Sequence, residues 1–211
     1  MSHPIVLGIT GASGAIYAVR LLEVLRSAGR DVHLSISPSG GDVIRQELKA
    51  NIDLYAFDDA SLQEIKIAGV QFAQLPTNEK RGALHYYHYQ DFMCSMASGS
   101  FLTAGMVICP CSGTTLSAVA AGAASNLIQR AAEVHLKERR KLILVPRETP
   151  LSVAHIDNMR RVTDAGAVVL PASPGWYHGV QSLADLVDFV VARICDQLDV
   201  EHSLTKRWGT K

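Results

Sequence analysis

The chain lacks an excess of charge of either sign: lysine plus arginine and aspartate plus glutamate number 20 each. Without a net positive field nothing draws in nucleic acid or an anionic membrane, so any anion recognition has to be local. Long apolar runs are missing as well. None approaches the roughly 18–20 residues of a membrane span, and the start, Met1-Ser2-His3-Pro4-Ile5, lacks the basic flank and apolar stretch of a secretion signal. The expected setting is cytoplasmic. Cysteine is scarce, at positions 94, 109, 111 and 195. Cys109-Pro110-Cys111 is neither a CxxC redox motif nor part of a second metal-spaced pair, so the thiols are expected to be reduced and mostly buried, and no metal is expected.

What the chain does have is core. With 48% hydrophobic and 19% charged residues, it suits one domain over residues 1–211, ending in a tail from about residue 199. Strand-like apolar runs at 5–9, 32–36, 105–109, 142–145 and 167–170 are separated by helical patterns at 15–28, 115–123, 128–139, 153–165 and 183–198. Apolar strands without alternation, separated by helices, predict an α/β fold of three layers, a mostly parallel sheet with helices on both faces. Such sheets bind ligands beyond the carboxyl ends of their strands. Residues 51–100 are the least regular, and one or two short elements with a mobile loop are expected there; residues 51–84 carry no motif. Arg207-Trp208 in the tail has little local core to join and is expected to pack on a neighbouring subunit or over the site.

Three strand ends carry chemistry. The first runs into Thr10-Gly11-Ala12-Ser13-Gly14 and then a helix, whose N-terminal N–H groups and small residues suit a phosphate. A nicotinamide cofactor fits poorly: the second strand ends in Ser35-Ile36-Ser37 with no acidic residue for an adenosine ribose, and no Tyr-x-x-x-Lys pair occurs. A mononucleotide fits better. The third strand ends in Cys109-Pro110-Cys111-Ser112-Gly113-Thr114-Thr115, where the hydroxyls read either as helix N-caps or as ligands of a phosphate or flavin edge. The fourth ends in Val145-Pro146-Arg147-Glu148-Thr149-Pro150. There a guanidinium fork suited to phosphate or carboxylate stands beside a carboxyl able to exchange protons, or else the two close the strand end as an ion pair.

Other residues are weighed the same way. Arg130 and Lys137 are seven apart and share a helical face, whereas Arg139, Arg140 and Lys141 read as a solvated helix end. Arg193 lies in an otherwise apolar helix and needs an anion or polar partner there. Trp176 and Tyr177 read as core aromatics after a proline turn. His85 and His88, with no third ligand at fitting spacing, read as surface residues rather than a metal site.

Taken together these motifs resemble the flavin prenyltransferases, the UbiX-like proteins formerly described as aromatic acid decarboxylases. The resemblance spans nearly the whole chain. It runs through Thr10-Gly11-Ala12-Ser13-Gly14-Ala15 with Tyr17 and Arg20, Cys109-Pro110-Cys111-Ser112, Asn126-Leu127-Ile128 with Arg130, and Leu136 to Leu142. It continues through Val145 to Pro150, Pro171 to Tyr177, Asp185 to Arg193 and Arg207-Trp208. It implies a Rossmann/flavodoxin-like flavoprotein fold. The implied activity is metal-independent transfer of a dimethylallyl group from dimethylallyl monophosphate to N5 and C6 of reduced FMN. The prenylated FMN would go to a UbiD-type decarboxylase, in ubiquinone biosynthesis.

By the same resemblance Gly11, Ala12, Ser13, Ser37, Ser112, Thr115 and Arg147 would hold FMN. Ser98, Arg130, Lys137, Glu148, Tyr177 and Arg193 would surround the prenyl phosphate, with Trp208 near the site. Cations there would stabilise the departing phosphate, and Glu148 would exchange a proton with it. The family is typically dodecameric, with sites between subunits, which implies a homo-oligomer. Thr114 stands where the family often has glycine. The competing readings are a non-catalytic flavin carrier and a flavin-dependent cysteine decarboxylase of the same fold, the latter disfavoured because its Asn-bearing turn and Met-Asn motif are absent.

Overall fold

The computed structural model describes residues 3–63, 65, 70–75, 81–177 and 179–205. Its frame is a six-stranded parallel sheet in the order β3-β2-β1-β4-β5-β6. The strands are β1 (Ile5–Ile9), β2 (Val32–Ile36), β3 (Leu84–Tyr86), β4 (Gly105–Cys111), β5 (Leu142–Pro146) and β6 (Val168–Val169). Every residue of β1, β2, β4 and β5 is buried, which is why their sequences are unbroken apolar runs rather than alternating ones.

Helices α1 (Ala15–Ser27), α2 (Pro38–Leu48) and α7 (Leu183–Gln197) lie on one face, packed on Leu7, Ile36 and Val107; α4 (Gly113–Ala121), α5 (Leu127–Lys137) and α6 (Val153–Asp164) cover the other, over Val6, Ile108 and Leu144. A four-residue helix, α3 (Ala60–Gln63), and a 3-10 turn, Ser95–Ala97, complete the set. Local chemistry sets the boundaries. Ser37, Ser112, Asn126, Ser152 and Ser182 cap their helices through the side chain, whereas α1 starts after Gly14, whose φ of 114° is left-handed.

The expected architecture is observed, with local corrections. Helix α2 was absent from the expectation; it forms because Ser37 caps it and Pro38 opens it, and because Gly40 fits where a Cβ would lie 2.7 Å from the Ile9 carbonyl oxygen. Strand β4 runs two residues further than expected, past a register irregularity beyond Ile108, and β6 shrinks to two residues. Arg140 is no solvated cation: it is half-buried and donates to the carbonyls of Gly99 and Phe101. His88 is likewise half-buried, against Tyr55 and Tyr89, rather than a surface residue.

Cys109, Cys111 and Cys195 are buried and Cys94 half-buried, all free thiols. Burial pushes Cys111 and Cys195 up to about 12, so neither is a thiolate at neutral pH.

Helices α1 and α7, neighbours on one face of the sheet, are joined by a buried ion pair. Arg20, 1% exposed, donates from Nε to Asp188 on α7 at 2.7 Å and from Nη1 to Glu23, while Phe72 lies 4.4 Å beneath its guanidinium. Asp188→Ala strands that charge in the core and is expected to cost about 3–5 kcal/mol in chemical denaturation. Two histidines set an acid limit. His135 donates Nδ1–H to Ala131 O (2.7 Å) and meets Thr103 Oγ1 at Nε2 (2.8 Å), and burial lowers it to about 4; burial also lowers His33 to about 4, with His85 beside it adding to the effect. Both bind a proton more weakly folded than unfolded, so their contribution is complete above about pH 6.5 and is lost as pH falls toward 4. The melting temperature is expected to fall steadily over that window, and less steeply in His33→Phe.

Candidate active site

In the observed strand order, the connections from β1 and β4 leave toward opposite faces, so their turns open a crevice at the carboxyl edge of the sheet. Thr10 holds its two walls together. Its hydroxyl donates to Pro110 O at 2.8 Å and accepts from the Ser112 N–H at 2.8 Å, and it is 2% exposed. On one wall Ser112 caps α4, accepting from Thr115 N at 3.2 Å, and its hydroxyl meets that of Thr115 at 3.0 Å. On the other, Gly11 approaches α2 so closely that a Cβ would lie 2.5 Å from Ser39 Oγ. Ser37 caps α2, accepting from Gly40 N at 3.1 Å.

Arg147 and Glu148 follow β5 into the same crevice. Arg147 donates from Nε to Ser13 O at 3.2 Å, tying the β5 end to the β1 turn across the chain. Glu148 is exposed and, among the described residues, accepts a local bond from Thr149 N at 3.1 Å. Burial raises the Tyr17 hydroxyl above its usual value, Cys109 adds to that, and Arg147 opposes it. The first turn of α6 also reaches in. His155 accepts from Ser152 N at Nδ1 (3.2 Å), so in its neutral form Nε2 carries the proton, and Nε2 lies 2.8 Å from where a Cβ on Gly113 would stand.

One expectation about this edge is overturned. The N–H groups at the start of α1 are not open to a phosphate: the Glu47 carboxylate, from the last turn of α2, takes Gly14 N–H (3.0 and 3.1 Å) and Ala15 N–H (2.9 Å). Sequence reading missed Glu47 and His155, and marked Thr10 only as the first residue of the β1 turn, not as the join between the walls. The only local signals were an acidic residue at the end of an unrecognised helix, a small hydroxyl at a strand end and a histidine three residues after a capping serine.

The structure gathers Gly11, Ala12, Ser13, Ser37, Ser112, Thr115, Arg147 and Glu148 at this edge. Arg130, half-buried in the first turn of α5, pairs with Glu133 at 3.5 Å. Lys137 is two turns away, roughly 10 Å along the axis, paired with Glu138 and beside the loop of Ser98, Gly99 and Ser100. Ser98 is exposed and hydrogen-bonded to Ser100 at 2.9 Å. Arg193 does not face the apolar core as its helix implied; it is exposed on α7 and pairs with Asp196 at 2.8 Å. Tyr177 is no core aromatic either: it is 68% exposed, its ring edge-on to Phe189 at 5.8 Å, and Trp176 is 70% exposed. Trp208 and Arg207 lie outside the described residues.

Two cavities lie away from the crevice. One, of about 490 Å3, sits between the end of α1 at Ala28 and residues 199–203; the other, of about 920 Å3, is on the outer side of α1 beside Arg20 and Phe72. Neither gathers the hydroxyls and charges described above. Among the described residues no group of three His, Cys, Asp or Glu side chains is placed to hold a metal ion.

Comparison with known proteins places the chain among flavoproteins. The Flavoprotein family model matches residues 1–195. The chain is 46% identical to the flavin prenyltransferase UbiX of Pseudomonas aeruginosa over 99% of its own length and 96% of that protein's. It is 42% identical to the flavin prenyltransferase UbiX of Halalkalibacterium halodurans over 96% of this chain and 92% of that one. Among solved structures, AnUbiX (PadA1) in complex with FMN and dimethylallyl pyrophosphate superposes with a TM-score of 0.83 at 34% identity, covering both chains completely. A dodecameric FMN-dependent UbiX-like decarboxylase from Escherichia coli O157:H7 gives 0.81 at 34% identity, over 98% of this chain and 100% of that one. The peptidyl-cysteine decarboxylase EpiD, at 14% identity and a TM-score of 0.56 over 94% of this chain and 99% of that one, shares the fold alone.

Thr10 makes the crevice testable without any ligand assignment. Thr10→Val would leave the Ser112 N–H and the Pro110 carbonyl without this partner, at a cost of about 1–3 kcal/mol in urea unfolding. Flavin affinity, measured by fluorescence quenching, is expected to fall with it.

Proposed function

The chain belongs to the flavin prenyltransferase family, and from that membership we propose that it transfers a dimethylallyl group from dimethylallyl monophosphate to reduced FMN at the carboxyl-edge crevice. The observation that carries this reading is the convergence of Ser13, Ser37, Ser112, Thr115 and Arg147 around small-residue turns at the point where the strand order reverses. Those residues suit FMN. Gly11 and Ala12 allow close backbone approach, the hydroxyls offer both donors and acceptors, and Arg147 brings a cation to the β5 side.

Reduced FMN would supply N5 and C6: the N5 bond would replace the allylic carbon–oxygen bond as phosphate departs and N5 loses its proton, and the C6 bond would form as the prenyl double bond takes up a proton and C6 gives one up. The protein's part is electrostatic and protective. Cationic side chains stabilise the charge gathering on the phosphate, and Glu148, exposed at the mouth, exchanges a proton with it. Apolar and aromatic walls would exclude water from the allylic centre, and Tyr177, exposed in the single chain, would join them in an assembly.

Within one chain Arg130, Lys137 and Arg193 each pair with a nearby carboxylate, Glu133, Glu138 and Asp196, so a neighbouring copy would complete the phosphate site. Lys137 and Ser98 lie at the far end of α5, and Arg193 lies on the opposite helical layer. Support for such assembly comes from exposed apolar residues, Leu151, Val153 and Ile156 after β5 and Trp176, Tyr177 and Leu183 after β6. A dodecamer like the one described for the Escherichia coli relative fits, with Trp208 reaching a site from the tail. No described helix is long and apolar enough to cross a membrane. The product would pass, in the cytoplasm, to a UbiD-type decarboxylase, with ubiquinone biosynthesis the pathway served.

Anaerobic incubation of the purified protein with reduced FMN and dimethylallyl monophosphate, in the presence of a chelator, is expected to yield a flavin heavier by one C5H8 unit. Glu148→Gln is expected to slow that mass change by about 100-fold or more while FMN remains bound. Bound FMN of unchanged mass in the wild type would instead identify a flavin carrier.

A further inference from the structure

Helix α7 ends in a joint between three side chains. Arg193 donates from Nη1 to Asp196 Oδ2 at 2.8 Å, and the other oxygen of that carboxylate, Oδ1, accepts from His202 Nε2 at 3.2 Å. His202 lies beyond the end of the helix, and its side chain is only 3% exposed. Its Nδ1 accepts in turn from the Leu204 N–H at 3.4 Å, so in the neutral ring the proton sits on Nε2 and faces the carboxylate. The Asp196 side chain is 19% exposed and that of Arg193 53%. A buried ring therefore orients a largely buried carboxylate, and the carboxylate holds an exposed guanidinium.

We propose that Asp196, oriented by His202, is a positioning residue for Arg193 and fixes its guanidinium for the phosphate of the prenyl donor. The inference rests on the flavin prenyltransferase reading above, which counts Arg193 among the cations of the phosphate site, and adds two residues to it. Helix stability gives a poor account of Asp196. The residue stands in the last turn of α7, where the helix dipole disfavours a carboxylate, and that turn carries no basic residue. Arg193 precedes it by three positions, the less favourable order for such a pair, and an exposed pair of this kind contributes little by itself. What the joint does provide is a fixed head group. An arginine left free on a helix surface spreads over many rotamers. Held through Nη1 by an oriented carboxylate, Arg193 keeps its Nε and Nη2 donors, which make no other hydrogen bond among the described residues, for a bidentate grip on phosphate.

Calorimetric titration of dimethylallyl monophosphate into the protein holding oxidised FMN tests this without turnover. Asp196→Asn keeps the size and one acceptor but removes the charge, and it is expected to raise the dissociation constant about 10-fold, with FMN affinity changed by less than about 2-fold. In an Arg193→Ala background the same substitution is expected to cost less than about 2-fold, because the group it positions is gone. His202→Gln places an amide nitrogen near the Nε2 position and is expected to stay within about 3-fold of the wild type, whereas His202→Leu is expected to match Asp196→Asn. Equal losses with and without Arg193 would overturn the proposal. Unchanged or tighter binding in Asp196→Asn would overturn it as well, making the carboxylate a competitor for the guanidinium, and so would two His202 variants that behave alike. Should Asp196→Asn not hold FMN, Asp196→Glu, which keeps the charge and lengthens the arm, is read in the same cycle. A wild type that binds the monophosphate but forms no prenylated flavin would sink the functional reading while leaving the cycle to judge Asp196, and one that binds none would sink both.

Discussion

The Thr10 hydroxyl, bonded to Pro110 O and Ser112 N, is the join on which the crevice depends. A parallel sheet reverses its winding direction at one place, and there two neighbouring strands send their connections to opposite faces. That geometry opens a gap and also leaves two turns with no covalent reason to stay in register. Thr10 supplies one, as a buried donor and acceptor at once. With the turns joined, α1 and α4 both start at the gap, and the ends of β2 and β5 bring Ser37 and Arg147 to its rim.

Charge is arranged around that gap with little left over. The overall balance of 20 against 20 leaves no long-range field, so recognition of an anion falls to individual groups at short range. Several cations are already committed: Arg20 to Asp188, Arg26 to Asp59, and Arg140 to carbonyls of the 99–101 loop. Arg147 is committed through Nε to a backbone carbonyl and presents its guanidinium at the rim. Glu47 reverses the polarity expected of the first helix, since the dipole there is satisfied from within.

The elements legible from the sequence were those whose burial is nearly complete. Strands β1, β2 and β5 and helices α1, α5 and α7 announce themselves by unbroken apolar runs or by leucine and valine at helical spacing. Those that escaped are held by tertiary contacts. Helix α2 opens with Pro38-Ser39-Gly40-Gly41, a poor helical sequence, and its Gly40 is required by the Ile9 backbone. Strand β3 has three residues, none fully buried, and pairs only with β2. The turn residues at 10–14, 112–115 and 147–148 were readable because hydroxyls, glycines and an Arg-Glu pair at strand ends have few structural uses. Glu47 and His155 were not, because nothing local distinguishes them from solvated side chains.

The sequence by itself determined the layered α/β frame, the strand ends at which a ligand would bind and the family to which the chain belongs. These follow from periodicity and motif order, which are properties of contiguous residues. Only the tertiary structure decided which of the marked residues meet. It put Arg147 on Ser13, paired Lys137 with Glu138 and Arg193 with Asp196, and seated Glu47 on the first turn of α1. Such pairings depend on the direction in which each helix crosses the sheet and on close approach at glycine, and both arise from packing between segments far apart in the chain.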